Sequence, residues 1–429
     1  MRIAPFLILG LIIREILAPF TGHPYDMELW VRIGYYVSMG HDPYSLTAPV
    51  PGLSFPNPLN VTWIGYPPIW AFFQAGLYKM YAISGLHNRF VYYLLTKQPM
   101  IIGDMLVSCL LLKIISNLKN ERSAISALRF WMLCPFTIII SSVWGMFDQI
   151  VLVLTLGSIL LVAETQKSAL LEAFAFLLKV IPLIYLPVLA FAQKSKGRIA
   201  SYLSVTIGAS VFFALAPYVV FRNWNLSELV SVGVDVTHKL GNSMNYWGIL
   251  AYYTGYFSAR DTPFHELQDI SMLWIPAILI ASYFCVISIR GKENLEKNLT
   301  ISMLFVTLVF FLSKSIINEQ YLIYFLGFAL IDYYLSGSRY RNLLFHGIWI
   351  ISLIFLVANN DFLVRFLSPI STYYALFSST FELGVYGEIR VAMMIAAEIL
   401  FTVLTFLYML SLYHELNMIR RATPPIANQ

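Results

Sequence analysis

The first polar stretch after the N-terminal apolar run reads His23-Pro24-Tyr25-Asp26-Met27-Glu28-Leu29-Trp30. Its two carboxylates, Asp26 and Glu28, are the side chains there able to take a proton from an attacking hydroxyl at neutral pH without a metal. Two solvated loop acids would read the same way. Asp148 ends the tight turn Trp144-Gly145-Met146-Phe147-Asp148 between two apolar runs, where it either caps the following helix or meets a substrate. Lys179 interrupts another apolar run. A cation near the membrane midplane is costly unless an anion or carbonyl oxygens meet it, so a salt bridge and a phosphate contact are its two candidate roles. Lys314 and Glu319 flank Ile316-Ile317-Asn318 and are close enough in sequence to pair. His238 and Lys239 precede Gly241-Asn242-Ser243-Met244-Asn245-Tyr246-Trp247, and a lone loop histidine is more often solvated than catalytic. No phosphate-binding glycine loop, Gly-x-Ser-x-Gly elbow or His-Glu-x-x-His pair is present, so nucleotide chemistry has no support. Cys109, Cys134 and Cys285 fall inside apolar runs with neither disulfide nor metal-ligand spacing.

The elements that must hold these residues are membrane spans. The 429 residues are 59% apolar and 12% charged, with a mean hydropathy of +0.71, which is far too apolar for a soluble domain of this size. The net charge of +5 sits in small basic clusters between apolar runs, the pattern of cytosolic loops rather than of nucleic-acid binding. A span needs about 20 mainly apolar residues. Ten crossings are predicted, near 3–20, 91–113, 127–143, 149–163, 201–221, 271–289, 299–313, 320–335, 343–358 and 389–413. The first contains Arg14 and Glu15 and lacks a small-residue cleavage site, so it is a retained span rather than a signal peptide. The aromatic stretches 68–84 and 246–257 read as interfacial helices. The run 169–192 is broken by Lys179 and Pro182 into pieces of about 15 Å each and has basic residues at both ends, so it is expected to be a re-entrant pair.

This assignment puts the basic connectors and both termini on the cytosolic side. The long loops 21–90 and 222–270, the turn at Asp148, and segments 314–319 and 359–388 fall on the other. Polar side chains gathered on one face suggest a working face. The whole chain, 1–429, is expected to be one membrane-embedded all-α domain, with a disordered tail at 422–429. Asn60-Val61-Thr62 and Asn225-Leu226-Ser227 are glycan acceptor triplets in external loops.

Several of these segments resemble the GT-C membrane glycosyltransferases, and most nearly the polyprenol-phosphate-mannose-dependent mannosyltransferases. The resemblance is carried by Asp26 to Trp30, Gly40-His41-Asp42-Pro43-Tyr44 and Tyr66-Pro67-Pro68 in the first external loop. It continues through Trp144-Gly145-Met146-Phe147-Asp148, the break Leu178-Lys179-Val180-Ile181-Pro182 and Asn318-Glu319-Gln320-Tyr321. Beyond about residue 340 no motif matches. The resemblance implies a GT-C-like fold and inverting transfer of a sugar, mannose in the nearest relatives, from a polyprenyl (dolichyl-type) phosphate to a lipid-linked or glycan acceptor on the extracytosolic face. Asp26 takes the place of the catalytic base, with Glu28 as the alternate because Met27 separates two acids that some members have adjacent. Lys179, His238, Lys239 and Lys314 become candidates for the donor phosphate. Asp148, Glu319, Gln320 and Tyr321 become candidates for the donor phosphate or sugar, and Trp30, Tyr66, Asn242 and Trp247 for stacking or acceptor contact. Beyond the lipid-borne donor no cofactor is expected. No metal requirement is expected either, although Asp26, Asp42 and Asp148 would be the acids to hold one. The expected partners are membrane lipids, the lipid-linked donor and the acceptor, with no nucleic acid. The rival reading is a multispanning transporter or lipid flippase, which should show two related halves and polar residues on both faces; neither is visible.

Overall fold

The structure is a computed structural model that describes residues 3–45, 48–56, 58, 61, 65–221, 224–225, 227, 243–253, 272–290, 292–371, 379–380 and 384–421. His238, Lys239, Asn242, both glycan triplets in part and the tail 422–429 lie outside the described residues. Backbone in hydrocarbon must satisfy its own hydrogen bonds, so apolar runs become helices. Among the described residues the regular structure is helical, apart from one bridge between Gly22 and Leu367.

The helices are α1 (Ala4–Leu17), α2 (Asp26–Ser38), α3 (Ile69–Ile83), α4 (Arg89–Leu118), α5 (Glu121–Leu133), α6 (Pro135–Trp144), α7 (Asp148–Leu160), α8 (Thr165–Leu178), α9 (Leu186–Phe191) and α10 (Lys196–Val220). They continue with α11 (Tyr246–Tyr253), α12 (Trp274–Ile289), α13 (Leu295–Ser313), α14 (Leu322–Ser336), α15 (Arg339–Asn359) and α16 (Gly384–Arg421). Helices α4, α10, α13, α15 and α16 are long and apolar enough to cross a membrane alone, and α5 and α6, bent by 49° at their junction, are so as a pair. The shorter α1, α7, α12 and α14 complete the bundle. The protein is an integral, multi-pass membrane protein.

Three local features shape the site. The first loop is not irregular at Asp26: α2 begins there, and its first turn holds both acids. The third span breaks at Cys134, because Pro135 has no N–H to give and its ring clashes with the preceding turn. It then finishes as a π-helix over Ile139–Trp144, whose last carbonyls, like those of any helix end, have no partner within the helix. The segment from α8 to α9 doubles back: Thr165 Oγ1 donates to Gln193 Oε1 at 2.9 Å, joining its two ends, while its apex at Lys179 meets Asp148 at the start of α7. The re-entrant path expected from the charges is the one the chain takes.

Several charges inside the bundle are matched, although Glu172 is buried with no partner for its carboxylate among the described residues. Arg14 Nε lies 2.8 Å from Asp104 Oδ2, its other donors meet Gly10, Met132 and Thr137, and Asp104 Oδ1 accepts from Trp131. The basic connectors converge on the end opposite Asp26. There Arg341 pairs with Glu415 and Asp332, Lys297 approaches Glu415, and Lys292 donates to the Arg420 carbonyl.

Candidate active site

The first loop is fixed before its acid is placed. Gly22 donates its N–H to the Phe366 carbonyl at 2.9 Å, Ser368 Oγ donates to the Gly22 carbonyl, and His23 N–H donates to the Trp144 carbonyl. Lys97 is buried in α4 and points its ammonium at three carbonyls: Thr21 and Ser142 at 2.6 Å and Val143 at 3.2 Å. A cation thus caps the open carbonyls of the π-helix and ties the loop to the Trp144 turn. Gly145 turns the chain with φ +91°, and a Cβ there would lie 2.5 Å from Met27 Sδ, so the position admits little but glycine.

These ties deliver Asp26 to the bundle end. Its Oδ2 accepts from Trp144 Nε1 at 2.7 Å and sits 2.9 Å from His23 Nδ1, while the His23 ring stacks on Trp144 at 4.7 Å between centroids. Oδ1 accepts from none of the described residues. Burial works to raise the Asp26 carboxyl, but the charge and hydrogen bond of His23, the Trp144 N–H and the nearby Lys179 outweigh it and hold the group below its ordinary value. Lys179 Nζ grips both Asp148 oxygens, at 2.7 and 2.8 Å, and lies 4.9 Å from the Tyr321 ring centre and 5.6 Å from those of Tyr66 and Phe147. Asp26, Lys179, Asp148, Tyr66 and Tyr321 therefore form one cluster. Burial, followed by the Asp26 charge, pushes the Tyr66 phenol well above its ordinary range.

Other expected residues stand elsewhere. Glu28 is fully buried: its oxygens accept from Arg32 Nε at 2.9 Å, Ser54 Oγ at 2.6 Å and the Phe55 N–H at 3.0 Å, so it ties the first loop together and faces away from the cluster's open carboxyl oxygen. Trp30 is also buried, donates to the Gly145 carbonyl, and packs against Tyr66, Trp70 and Phe147. Asp148 does not cap its helix; its carboxylate is taken by Lys179. Trp144, at the start of the same turn, donates to Asp26. Glu319 accepts from Asn359 at 2.7 Å, and burial, partly offset by that bond, raises its carboxyl. Lys314 is buried with its ammonium 5.1 Å from the Trp274 ring centre, and burial pushes it down to about 8. Gln320 Oε1 and Trp247 Nε1 are buried and meet no partner among the described residues. Asp42 accepts from the N–H groups of Tyr44 and Asn225, and no group of three or more His, Cys, Asp or Glu able to hold a metal occurs among the described residues.

No family model matches the chain, and no curated protein matches it. A solved structure does: ArnT from Cupriavidus metallidurans bound to undecaprenyl phosphate superposes with a TM-score of 0.51 over 97% of this chain and 77% of that one, at 10% sequence identity. The chain has the GT-C fold. Sequence reasoning singled out motifs that resemble those of GT-C enzymes but missed the residues packed around them. His23 was quoted without a role, Lys97 lies inside a span with nothing around it to mark it, and Asn359 and Phe366 lie in the stretch where no motif matches. The i,i+4 spacing of Glu28 and Arg32 was the one readable sign that Glu28 has a structural partner.

Proposed function

We propose that this protein is an inverting glycosyltransferase that moves a sugar from a polyprenyl phosphate to a hydroxyl of a lipid-linked or glycan acceptor, with the Asp26 end facing the extracytosolic side. The observation that carries the reading is Asp26 itself. It is an ionised carboxylate held through one oxygen, with the other open, at the polar end of a fold shared with a polyprenyl-phosphate-bound protein. Asp26 Oδ1 takes the acceptor's proton as the acceptor oxygen bonds to the anomeric carbon. The bond from that carbon to the phosphate oxygen breaks, and its electron pair leaves on the lipid phosphate. Lys179 and Lys314 are the cations on this end proposed to meet the developing phosphate charge, Lys179 through whatever share of its charge Asp148 leaves free. Gln320, with a buried acceptor atom left open, and Tyr321 are proposed to bind the sugar. Trp30 is too enclosed to stack on a sugar, and Tyr66, half-buried in the cluster, is proposed for that contact, with Trp247 and Asn242 as the other candidates. Mannose is the first donor sugar to test, on the motifs of the first loop, and no metal is assigned a step.

The test is transfer from radiolabelled polyprenyl-phosphate mannose or glucose to a panel of glycolipid and glycan acceptors by the purified chain. Asp26→Asn is expected to lower the rate by roughly 10²–10⁴, the usual worth of a general base. Full transfer by that variant would remove Asp26 as the base. No transfer from any donor, together with substrate flux in proteoliposomes, would favour the transporter or flippase.

A further inference from the structure

A cavity lies in the other half of the bundle from the Asp26 cluster, toward the basic end. It has a volume of about 360 Å³ and opens where α5, α14 and α15 meet beside the break at Cys134 and Pro135. That size falls within the range of ligand pockets. Its polar lining is Ser126, Arg129, Tyr333, Tyr334 and His346, with no carboxylate.

Two of these groups are donors awaiting an acceptor. Arg129 stands eight residues into α5, about 12 Å along the helix from Glu121, and makes no ion pair among the described residues. Its guanidinium lies 5.8 Å from the Phe6 ring centre and acts electrostatically on Tyr334. Arg129 is exposed where the cavity opens, so its guanidinium is placed to meet an anion that enters. His346 Nδ1 accepts from Trp349 Nε1 at 3.1 Å, which places the imidazole proton on Nε2 and makes that atom a donor. Beside these donors the wall is aromatic: Phe130 packs 5.4 Å from Phe345 and 5.9 Å from Trp349 between ring centres. Arg122, exposed and seven residues before Arg129 on the same face of α5, extends the positive lane toward the helix end.

We propose that this cavity binds an anionic phospholipid from the leaflet at the basic end. The phosphate is held by Arg129 and His346 Nε2–H, and an acyl chain lies against Phe130, Phe345 and Trp349. A positive mouth, a wall without acids and an aromatic interior opening between transmembrane helices match that ligand, and basic pockets between spans are where anionic head groups bind. The arrangement is separate from the Asp26 cluster and independent of what that cluster catalyses.

Native mass spectrometry of the full chain in zwitterionic detergent, titrated with phosphatidylglycerol, phosphatidylcholine or inorganic phosphate, tests it. The expected result is retention of phosphatidylglycerol at least tenfold tighter than phosphatidylcholine. A tenfold loss of that retention is expected in Arg129→Gln and a smaller one in Arg129→Lys. Should Arg129→Gln melt below the working temperature, His346→Phe serves in its place, with the same loss expected. Equal retention of both lipids, unchanged phosphatidylglycerol binding in the variants, or displacement of the lipid by inorganic phosphate would each overturn the proposal. Sugar transfer is not read in this experiment, so its failure leaves the role of Asp26 untouched.

Discussion

The groups that keep Asp26 ionised also make it a weak base, since each of them lowers its affinity for a proton. Its value to the proposed reaction is therefore positional: the open oxygen is held still where a hydroxyl must approach. His23 is the strongest of the partners that lower the group, so His23→Asn should let the carboxyl rise toward its ordinary value. A base works only when ionised. The acid limb of kcat/KM should accordingly move to higher pH in this variant, while activity at neutral pH falls less than in Asp26→Asn. A pH profile that does not move would show that His23 does not set the state of Asp26. Glu28 illustrates how two acids two residues apart can differ entirely in task. One oxygen of Asp26 meets no donor among the described residues, whereas Glu28 is surrounded by a guanidinium, a hydroxyl and an amide.

At the scale of elements, the Trp144-Gly145-Met146-Phe147-Asp148 turn joins the two acids that flank the cluster, and its glycine is the tightest point. Gly145→Ala would force an L side chain into left-handed backbone and into Met27 and Lys97. A cost of about 1–2 kcal/mol from the backbone alone is expected, with the clash added. The measurement is a thermal melt in detergent, lower by several degrees than the parent, with transfer impaired because Trp144 no longer meets Asp26. A variant that melts and works like the parent would show that the turn tolerates the change. This turn was legible because a glycine and an acid at fixed spacing between apolar runs leave few alternatives. The break at Lys179 and Pro182 was legible for the same reason, since a charge, a proline and basic flanks all pointed to one path. The helix at Asp26 was not, because Asp26, Glu28 and Arg32 interrupt its apolar residues and the stretch is too short and too polar to read as a span. The π-helix was invisible because nothing in Ile139-Ile140-Ser141-Ser142-Val143-Trp144 distinguishes it from ordinary helix. Lys97 reads as a misplaced charge until three carbonyls from two other segments are brought to it.

The whole molecule is polarised along its axis. One end carries the acid, amide and aromatic cluster, and the other carries the basic connectors with the starts and ends of α5, α14, α15 and α16. If basic connectors mark the cytosol, cysteines placed at Leu86 and at Lys119, the two ends of α4, should differ. A membrane-impermeant maleimide applied to intact cells is expected to label the first and spare the second; the reverse pattern would invert the proposed sidedness. One contact also gives the molecule a history. Ser368 donates to the carbonyl of Gly22 across 346 residues of sequence, beside the Gly22–Leu367 bridge and behind three successive non-glycine residues with positive φ, Asp361, Phe362 and Leu363. A ribosome adding roughly 5–20 residues per second needs roughly 17–70 s to make the second half of that clasp after the first has emerged. During that interval the nascent chain carries its acid without the strap that fastens it, so the first loop is secured only after Ser368 has been made.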